Sequence, residues 1–112
     1  MKKRILLLED DPISRRNLSL FLQSAAYDVY QAETAESGLQ AMAGANFDVV
    51  ISDLSLSGQL SGLDVLKKSL GKRLILMTGF TSNDVRAEAQ RVGAVYLEKP
   101  ISLDKLLSVL QQ

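Results

Sequence analysis

The sequence contains no cysteine, no histidine and no tryptophan, and its only prolines are Pro12 and Pro100. Without histidine or cysteine the chain has no Ser-His or Cys-His catalytic pair, no thiol redox centre, no disulfide and no zinc site of the usual ligands. A metal ion bound by this chain therefore has oxygen ligands. A basic surplus is also missing, because 13 Lys and Arg residues balance 13 Asp and Glu residues. Since phosphate neutralisation needs such a surplus, we expect no direct binding of nucleic acid.

Long apolar runs are missing as well. The basic amino terminus is followed by only four apolar residues, at 5–8, before the first acid. This run is too short for a signal peptide or a membrane span. Together with the lack of cysteine, it favours a cytoplasmic protein without a membrane partner. A chain of 112 residues can bury one core but not two, so we expect one domain over residues 1–112.

Short apolar segments alternate with segments of helical period. Branched apolar residues at 5–8, 49–51, 74–77 and 94–97 predict strands that are covered on both faces, and the alternating segment 27–31 predicts an edge strand. Between the strands a period of 3.6 predicts five helices, of which the third covers 63–70 and the fourth follows Thr81, Ser82 and Asn83. Thr34 and Ser102 are expected to cap the second and fifth helices. The residues expected to face the core are Leu18, Phe21, Leu22, Ala25, Leu39, Met42, Ala43, Val85, Ala89, Val92, Leu103, Leu106, Leu107 and Leu110.

Five strands that alternate with helices through short connections predict a parallel sheet between two helical layers. The fold class is α/β, with a doubly wound five-stranded sheet in three layers. The pattern alone does not fix the strand order. Five units of this size suit the flavodoxin-like (βα)5 order 2-1-3-4-5, in which ligands bind beyond the carboxyl ends of the strands.

Polar residues follow four of the predicted strands. They are Glu9, Asp10 and Asp11 after the first, Asp53 after the third, Thr78 and Gly79 after the fourth, and Glu98, Lys99 and Pro100 after the fifth. In a parallel sheet these residues converge at one edge, where the carboxylates repel one another unless a cation neutralises them. Mg²⁺ fits best, because it takes oxygen ligands. With the ammonium of Lys99 and the hydroxyl of Thr78, the set forms a site for a phosphoryl group that a carboxylate oxygen attacks.

This ordered set of motifs resembles the receiver domain of bacterial response regulators over essentially the whole chain. The matching pieces are the acids of LLLEDDP, the Asp of VVISDL, the Thr of ILMTG and the Lys-Pro of YLEKP. Each piece alone is weakly specific, whereas the ordered set is specific. The resemblance implies a phosphoacceptor domain of a two-component phosphorelay. Such a domain takes a phosphoryl group from a histidine kinase or phosphotransfer protein, with Mg²⁺, and then changes conformation to control an output partner or domain.

The resemblance also implies which residues form the phosphorylation site. Asp53 would be the phosphoacceptor, and Asp10 would be a direct ligand of Mg²⁺. Glu9 would be a nearby acid that holds a water molecule of the ion, and the backbone carbonyl of Ser55 would be a further ligand.

Three further positions would respond to the phosphoryl group. The hydroxyl of Thr78 would bind the phosphate, and Lys99 would pair with one of its oxygens. Tyr96 would be the aromatic switch that turns inward when Thr78 moves. The family usually has a cis peptide at the position of Lys99-Pro100, and only X-Pro bonds adopt the cis form cheaply.

Some positions depart from the common receiver pattern. Ser57 stands where the family usually has a proline, four residues after Asp53, so we expect a more mobile loop. Gly62 lies one residue further from Asp53 than in many members, and SDLSLSGQLSG resembles the longer loop of receivers fused to hybrid histidine kinases. Phe80, two residues after Thr78, occupies a position that influences the access of water to the phosphate.

Two other functions share parts of this pattern. A metal-dependent phosphohydrolase would also form an aspartyl phosphate, but it usually has a second acid two residues after the nucleophile, where this chain has Ser55. A flavin carrier would need a phosphate-binding loop where Glu9 to Asp11 lie, and acids repel a phosphate. We therefore expect no enzymatic activity beyond self-phosphorylation and slow self-dephosphorylation. The resemblance also allows a homodimer through the fourth and fifth helices. It is compatible with a stand-alone regulator and with part of a larger protein.

Overall fold

A computed structural model describes residues 2–69, 71–79 and 82–112, and it shows strands and helices in strict alternation. The elements in chain order are β1 (Arg4–Leu8), α1 (Pro12–Ser24), β2 (Asp28–Ala32), α2 (Ala35–Gly44), β3 (Val49–Asp53), α3 (Gly62–Lys67), β4 (Arg73–Thr78), α4 (Asn83–Arg91), β5 (Ala94–Glu98) and α5 (Leu103–Leu110). Every predicted strand overlaps an observed one, so the five predicted βα units are confirmed.

The five strands form one parallel sheet in the order β2-β1-β3-β4-β5. This confirms the predicted flavodoxin-like order. β3 is the central strand, and the register pairs its last residue, Asp53, with Met77 of β4. Thr78 then pairs with Glu98 of β5. The carboxyl ends of these strands therefore meet at one edge of the sheet.

The sheet separates two apolar cores, because successive side chains of a strand point to opposite faces. In β1, Ile5 and Leu7 face one core and Leu6 and Leu8 face the other. The first core contains residues of α1 and α5, and the second contains residues of α2, α3 and α4. Since Val50 and Ile51 of β3 are also fully buried, the central strands are covered on both faces, as their continuous apolar sequences predict.

Side-chain oxygens cap the amino ends of the helices. Thr34 and Ser102 accept hydrogen bonds from the backbone N–H groups of Ser37 and Lys105, which confirms both predicted caps. Ser61 caps α3 in the same way and forms a reciprocal pair with the side chain of Asp64. These bonds satisfy N–H groups that have no partner within the helix, and so they define where each helix begins.

Two predicted core positions and the predicted end of the third helix differ from the structure, and two residues named in the helix predictions lie outside the described residues. Ala43 is exposed, because it lies just beyond the edge of the stripe that the buried and half-buried residues of α2 form. Leu103 is 43% exposed, since it is the first residue of α5 and lies at the edge of the core. The third helix ends at Lys67, and Leu70, where it was predicted to end, lies outside the described residues. Thr81 lies outside them too, and Ser82 caps α4.

Across residues 2–69, 71–79 and 82–112, none of the helices combines the length and the apolar character needed to cross a membrane.

Candidate functional site

Three carboxylates meet at the carboxyl edge of the sheet. Glu9 directly follows β1, Asp10 is next to it, and Asp53 is the last residue of β3. Each offers a carboxylate oxygen, and these oxygens lie within 4.8 Å of one another. Glu9 and Asp53 are buried, whereas Asp10 is partly exposed. The structure thus brings together three of the five acids that were predicted to lie at this edge, whereas Glu98 pairs with Arg86 of α4.

Asp11 caps a helix instead of joining the cluster. Its carboxylate caps α1 by accepting hydrogen bonds from the hydroxyl and the backbone N–H of Ser14, at 2.6 and 3.0 Å. These two bonds hold the pKa of Asp11 below its usual value. Asp11 is exposed and belongs to the helix end rather than to the acidic cluster.

Lys99 supplies the positive charge of the cluster. Its Nζ lies 2.9 Å from Oδ2 of Asp53 and 3.2 Å from Oε1 of Glu9. A backbone hydrogen bond of 2.8 Å from the N–H of Lys99 to the carbonyl of Thr78 fixes the position of the lysine beside β4. The next peptide bond, Lys99-Pro100, is cis. Burial alone lowers the pKa of Lys99, but the hydrogen bonds and charges of Asp53 and Glu9 outweigh it, so the pKa is raised and the ammonium stays charged.

Glu9 is the most perturbed group of the cluster. Burial raises the pKa of Glu9 from 4.5 to about 7. Asp53 adds to this rise, because its carboxylate can accept a hydrogen bond from protonated Glu9 and because its charge disfavours ionisation of Glu9. Lys99 opposes the rise. Oε2 of Glu9 is buried and has no hydrogen-bond partner among the described residues. Glu9 therefore offers a free, buried oxygen to whatever cation enters the cluster.

The raised pKa of Glu9 predicts a loss of stability as the pH rises in the metal-free protein. Below pH 4.5 Glu9 is protonated in both the folded and the unfolded chain, and above about pH 7 it is ionised in both. Between these values the unfolded chain ionises first, so the free energy of unfolding falls. The total loss is about 3 kcal/mol for such a shift.

Urea unfolding in EDTA at pH 5 and pH 8 measures this loss. We expect the wild-type protein to lose more stability between the two values than Glu9→Gln, whose side chain does not ionise. An equal pH dependence in both proteins would show that Glu9 does not carry the effect.

Thr78 lies on β4, the strand next to β3, and Tyr96 lies on β5, on the far side of β4. Thr78 ends β4 and is buried, whereas Tyr96 in β5 is half-buried. The guanidinium of Arg86, from α4, lies 4.8 Å from the centroid of the Tyr96 ring, and its NH2 contacts Oε1 of Glu98 at 2.5 Å. Arg86 was missed by sequence reasoning, since no local pattern indicates that an exposed helix residue stacks on a ring of the next strand.

The loop from β3 to α3 contains Ser55 and Ser57, and both residues are exposed. Ser57 was predicted to make the loop mobile. This stays a prediction; in the structure the Ser57 hydroxyl donates a hydrogen bond of 3.1 Å to Oδ2 of Asp10, and the backbone of Ser57 forms a parallel bridge with Thr34. No local pattern indicates this contact, because 47 residues separate Ser57 from Asp10. Phe80, for which a role in water access was expected, lies outside the described residues.

The donor set fits a hard divalent cation such as Mg²⁺. All three side chains offer carboxylate oxygens, which Mg²⁺ prefers, and the unpartnered Oε2 of Glu9 is a buried acceptor without a donor. One lysine cannot balance three clustered carboxylates, so a cation relieves the remaining repulsion.

The fold and this site define a class of protein. A family model described as "Response regulator receiver domain" matches residues 5–111. The chain belongs to this family, as its motifs predicted. Receiver domains bind Mg²⁺ at an acidic pocket, interact with histidine kinases or phosphotransfer proteins and with output domains, and generally are not enzymes in their own right.

Individual relatives agree with this assignment. The transcriptional regulatory protein FixJ of Bradyrhizobium diazoefficiens is 32% identical over 115 residues, which cover 98% of this chain and 56% of FixJ. The sensory/regulatory protein RpfC of Xanthomonas campestris pv. campestris is 34% identical over 116 residues, which cover 96% of this chain and 16% of RpfC. The chain thus spans about half, or less, of the length of these relatives.

Solved structures have the same fold. The CheY-like receiver domain protein from Methanospirillum hungatei JF-1 superposes with a TM-score of 0.92 and 28% identity, covering 99% of this chain and 92% of that one. The chemotaxis protein CheY4 of Vibrio cholerae, crystallised at low pH, gives a TM-score of 0.89 and 29% identity, covering 99% of this chain and 98% of that one.

Proposed function

We propose that Asp53 accepts a phosphoryl group from the phosphohistidine of a histidine kinase or phosphotransfer protein, in a Mg²⁺-dependent reaction. The observation that carries the proposal is the contact of Asp53 with Lys99, at 2.9 Å, within the cluster of Glu9, Asp10 and Asp53. A carboxylate that accepts a phosphoryl group needs positive charge beside it, because both reactants are anionic.

Each residue of the site has a proposed task in this transfer. An oxygen of Asp53 attacks phosphorus while the bond from phosphorus to the donor nitrogen breaks. Asp10, Asp53 and the backbone carbonyl of Ser55 would hold Mg²⁺, with Glu9 holding a water of the ion, and the bound ion would screen the charges of both partners. Lys99 exchanges its contact with Asp53 for one with a phosphate oxygen.

The same geometry supports a conformational response. Thr78 ends the strand beside Asp53, and its hydroxyl can donate a hydrogen bond to a phosphate on that residue. A shift of Thr78 leaves room for Tyr96, on the neighbouring strand, to turn inward. This change reshapes the surface of α4, β5 and α5, which we propose as the surface for an output partner or for a homodimer.

The reaction is self-phosphorylation, followed by slow self-dephosphorylation, rather than turnover of external substrates. A phosphohydrolase of this type would need a general acid for the leaving group two residues after Asp53, and Ser55 stands there. A serine hydroxyl does not donate a proton at neutral pH as readily as a carboxylic acid does.

Two relatives of this chain are named as a transcriptional regulatory protein and a sensory/regulatory protein. We propose that this receiver, covering residues 1–112, likewise controls a partner or a further domain, and that it acts in the cytoplasm without binding nucleic acid itself. The match to a sensory/regulatory protein supports the view that the long β3-to-α3 loop is of the type found in receivers fused to hybrid histidine kinases.

Intact-mass measurement tests the proposed function. The chain is incubated with a small acyl phosphate in the presence of Mg²⁺ or of EDTA. We expect the mass of one phosphoryl group to be gained in Mg²⁺ and little or none in EDTA, because the carboxylates repel the donor without the cation. No gain in Mg²⁺, or an equal gain in EDTA, would contradict the proposal.

A further inference from the structure

The acidic cluster is held by donors from two different parts of the molecule. Lys99 contacts Asp53 and Glu9 from the end of β5. Asp10 instead accepts its hydrogen bond from the hydroxyl of Ser57, in the loop between β3 and α3. The orientation of Asp10 is therefore set separately from that of the other two carboxylates.

Ser57 is held in place by the beginning of α2. Its backbone forms the parallel bridge with Thr34, and Thr34 is itself fixed by reciprocal hydrogen bonds with Ser37 at the helix cap. The next residue, Gly58, has a φ of 102°, and a Cβ there would lie 3.0 Å from a carboxylate oxygen of Glu36. Ser57 and Gly58 therefore pack closely against the beginning of α2, so the position of α2 determines where the Ser57 hydroxyl lies.

The hydrogen bond matters because Asp10 is partly exposed and lies beside two other carboxylates. Repulsion from Glu9 and Asp53 favours rotation of the Asp10 carboxylate toward water. A bond from Ser57 to Oδ2 opposes this rotation and leaves Oδ1 available as a ligand, since a carboxylate has two acceptor oxygens. Metal-binding carboxylates generally need such a partner to hold their orientation.

We propose that Ser57 is a positioning residue that holds Asp10 in its metal-binding orientation, so that Ser57 determines how tightly the site binds a divalent cation. This inference rests on the metal-binding part of the proposed function and not on phosphoryl transfer. A serine at this position thereby has a task that a proline could not perform, because proline has no side-chain donor.

A Mg²⁺ titration followed by two-dimensional NMR tests this proposal on the full chain. We expect Ser57→Ala to bind Mg²⁺ about tenfold more weakly than the wild type, because loss of such a partner costs about 10- to 100-fold in affinity. Ser57→Thr keeps the hydroxyl and should bind within about twofold of the wild type. Gln59→Ala, an exposed position in the same loop, should bind as the wild type does.

Further measurements separate positioning from a general effect on the fold. Urea unfolding in EDTA should give the same midpoint for Ser57→Ala and Gln59→Ala, so that only the affinity for Mg²⁺ differs. Should Ser57→Ala not fold, we expect Ser57→Cys to bind Mg²⁺ more weakly than the wild type in the same way, since a thiol is a weak donor.

Two results would overturn the proposal. One is Mg²⁺ binding by Ser57→Ala as tight as, or tighter than, that of the wild type. The other is a failure of Ser57→Thr to restore the affinity. A wild-type chain that binds Mg²⁺ but takes up no phosphoryl group would overturn the proposed function and leave the role of Ser57 standing.

Discussion

Asp53→Asn should take up no phosphoryl group from an acyl phosphate in Mg²⁺, under conditions in which the wild type is phosphorylated. Asparagine has nearly the same shape as aspartate, but its amide oxygen is a far weaker nucleophile than a carboxylate oxygen. The expected effect is a complete loss of the mass gain within the time in which the wild type reacts fully.

The structure gives reasons why Asp53, rather than a neighbouring acid, should be the nucleophile. The Glu9 side chain is only 3% exposed, against 11% for Asp53, so a phosphoryl donor that arrives from solvent reaches Glu9 less readily. Asp10 accepts a hydrogen bond from Ser57, whereas the ion pairs of Lys99 are with Glu9 and Asp53, and Asp11 caps α1. Asp53 alone among the four is a strand-terminal residue in contact with Lys99.

A matched change at an exposed position provides the control. Asp104→Asn alters an aspartate in the first turn of α5 and should leave phosphoryl uptake unchanged. Peptide mapping of the phosphorylated wild type should place the group on the segment that contains Asp53. Uptake by Asp53→Asn at the wild-type rate, or mapping to Asp10 or Asp11, would contradict the assignment.

Gly62→Ala should destabilise the fold by about 3 kcal/mol, at the upper end of the usual cost of overpacking. A Cβ at residue 62 would lie 2.1 Å from the carbonyl oxygen of Asp53 and 2.7 Å from Oγ of Ser52. Both atoms belong to the central strand, which neighbouring strands hold on both sides, so the strand cannot move away. The helix α3 must shift instead, and its packing against β3 is lost.

Urea unfolding measures this cost, and Gly44→Ala is its control. Gly44 ends α2, and a Cβ there meets nothing within 4 Å. Because alanine favours a helix more than glycine does, this change should leave stability unchanged or raise it slightly. Equal stabilities for the two variants would contradict the close approach of residue 62 to Ser52 and Asp53.

The fold was largely predictable because its signals are local. Continuous apolar segments such as residues 5–8 and 49–51 indicate strands covered on both faces, and alternation of strands and helices implies a parallel sheet. Residues that follow successive parallel strands must meet at one edge. For this reason the approach of Asp53 to Glu9, Asp10 and Lys99 could be foreseen without coordinates.

Contacts between distant loops could not be foreseen in this way. The bond from Ser57 to Asp10 depends on how the loop lies against α2, and nothing in the neighbouring residues specifies that. The exposure of Ala43 was missed for a related reason. Apolar spacing indicates which residues share a face of a helix, but Ala43 lies at the border of that face, where spacing does not show which residue is the last to be buried. The close approach of Gly62 to Asp53 likewise depends on the packing of α3.

The central place of β3 in the sheet has a consequence for how the site opens. Asp53 ends a buried strand that lies between β1 and β4, so we expect its backbone to open only at a high free energy. Ser57 lies in an exposed loop, and such segments open locally at much lower free energy. The proposed phosphoacceptor thus keeps its place for as long as the protein is folded, while the orientation of Asp10 follows the local opening and closing of one loop.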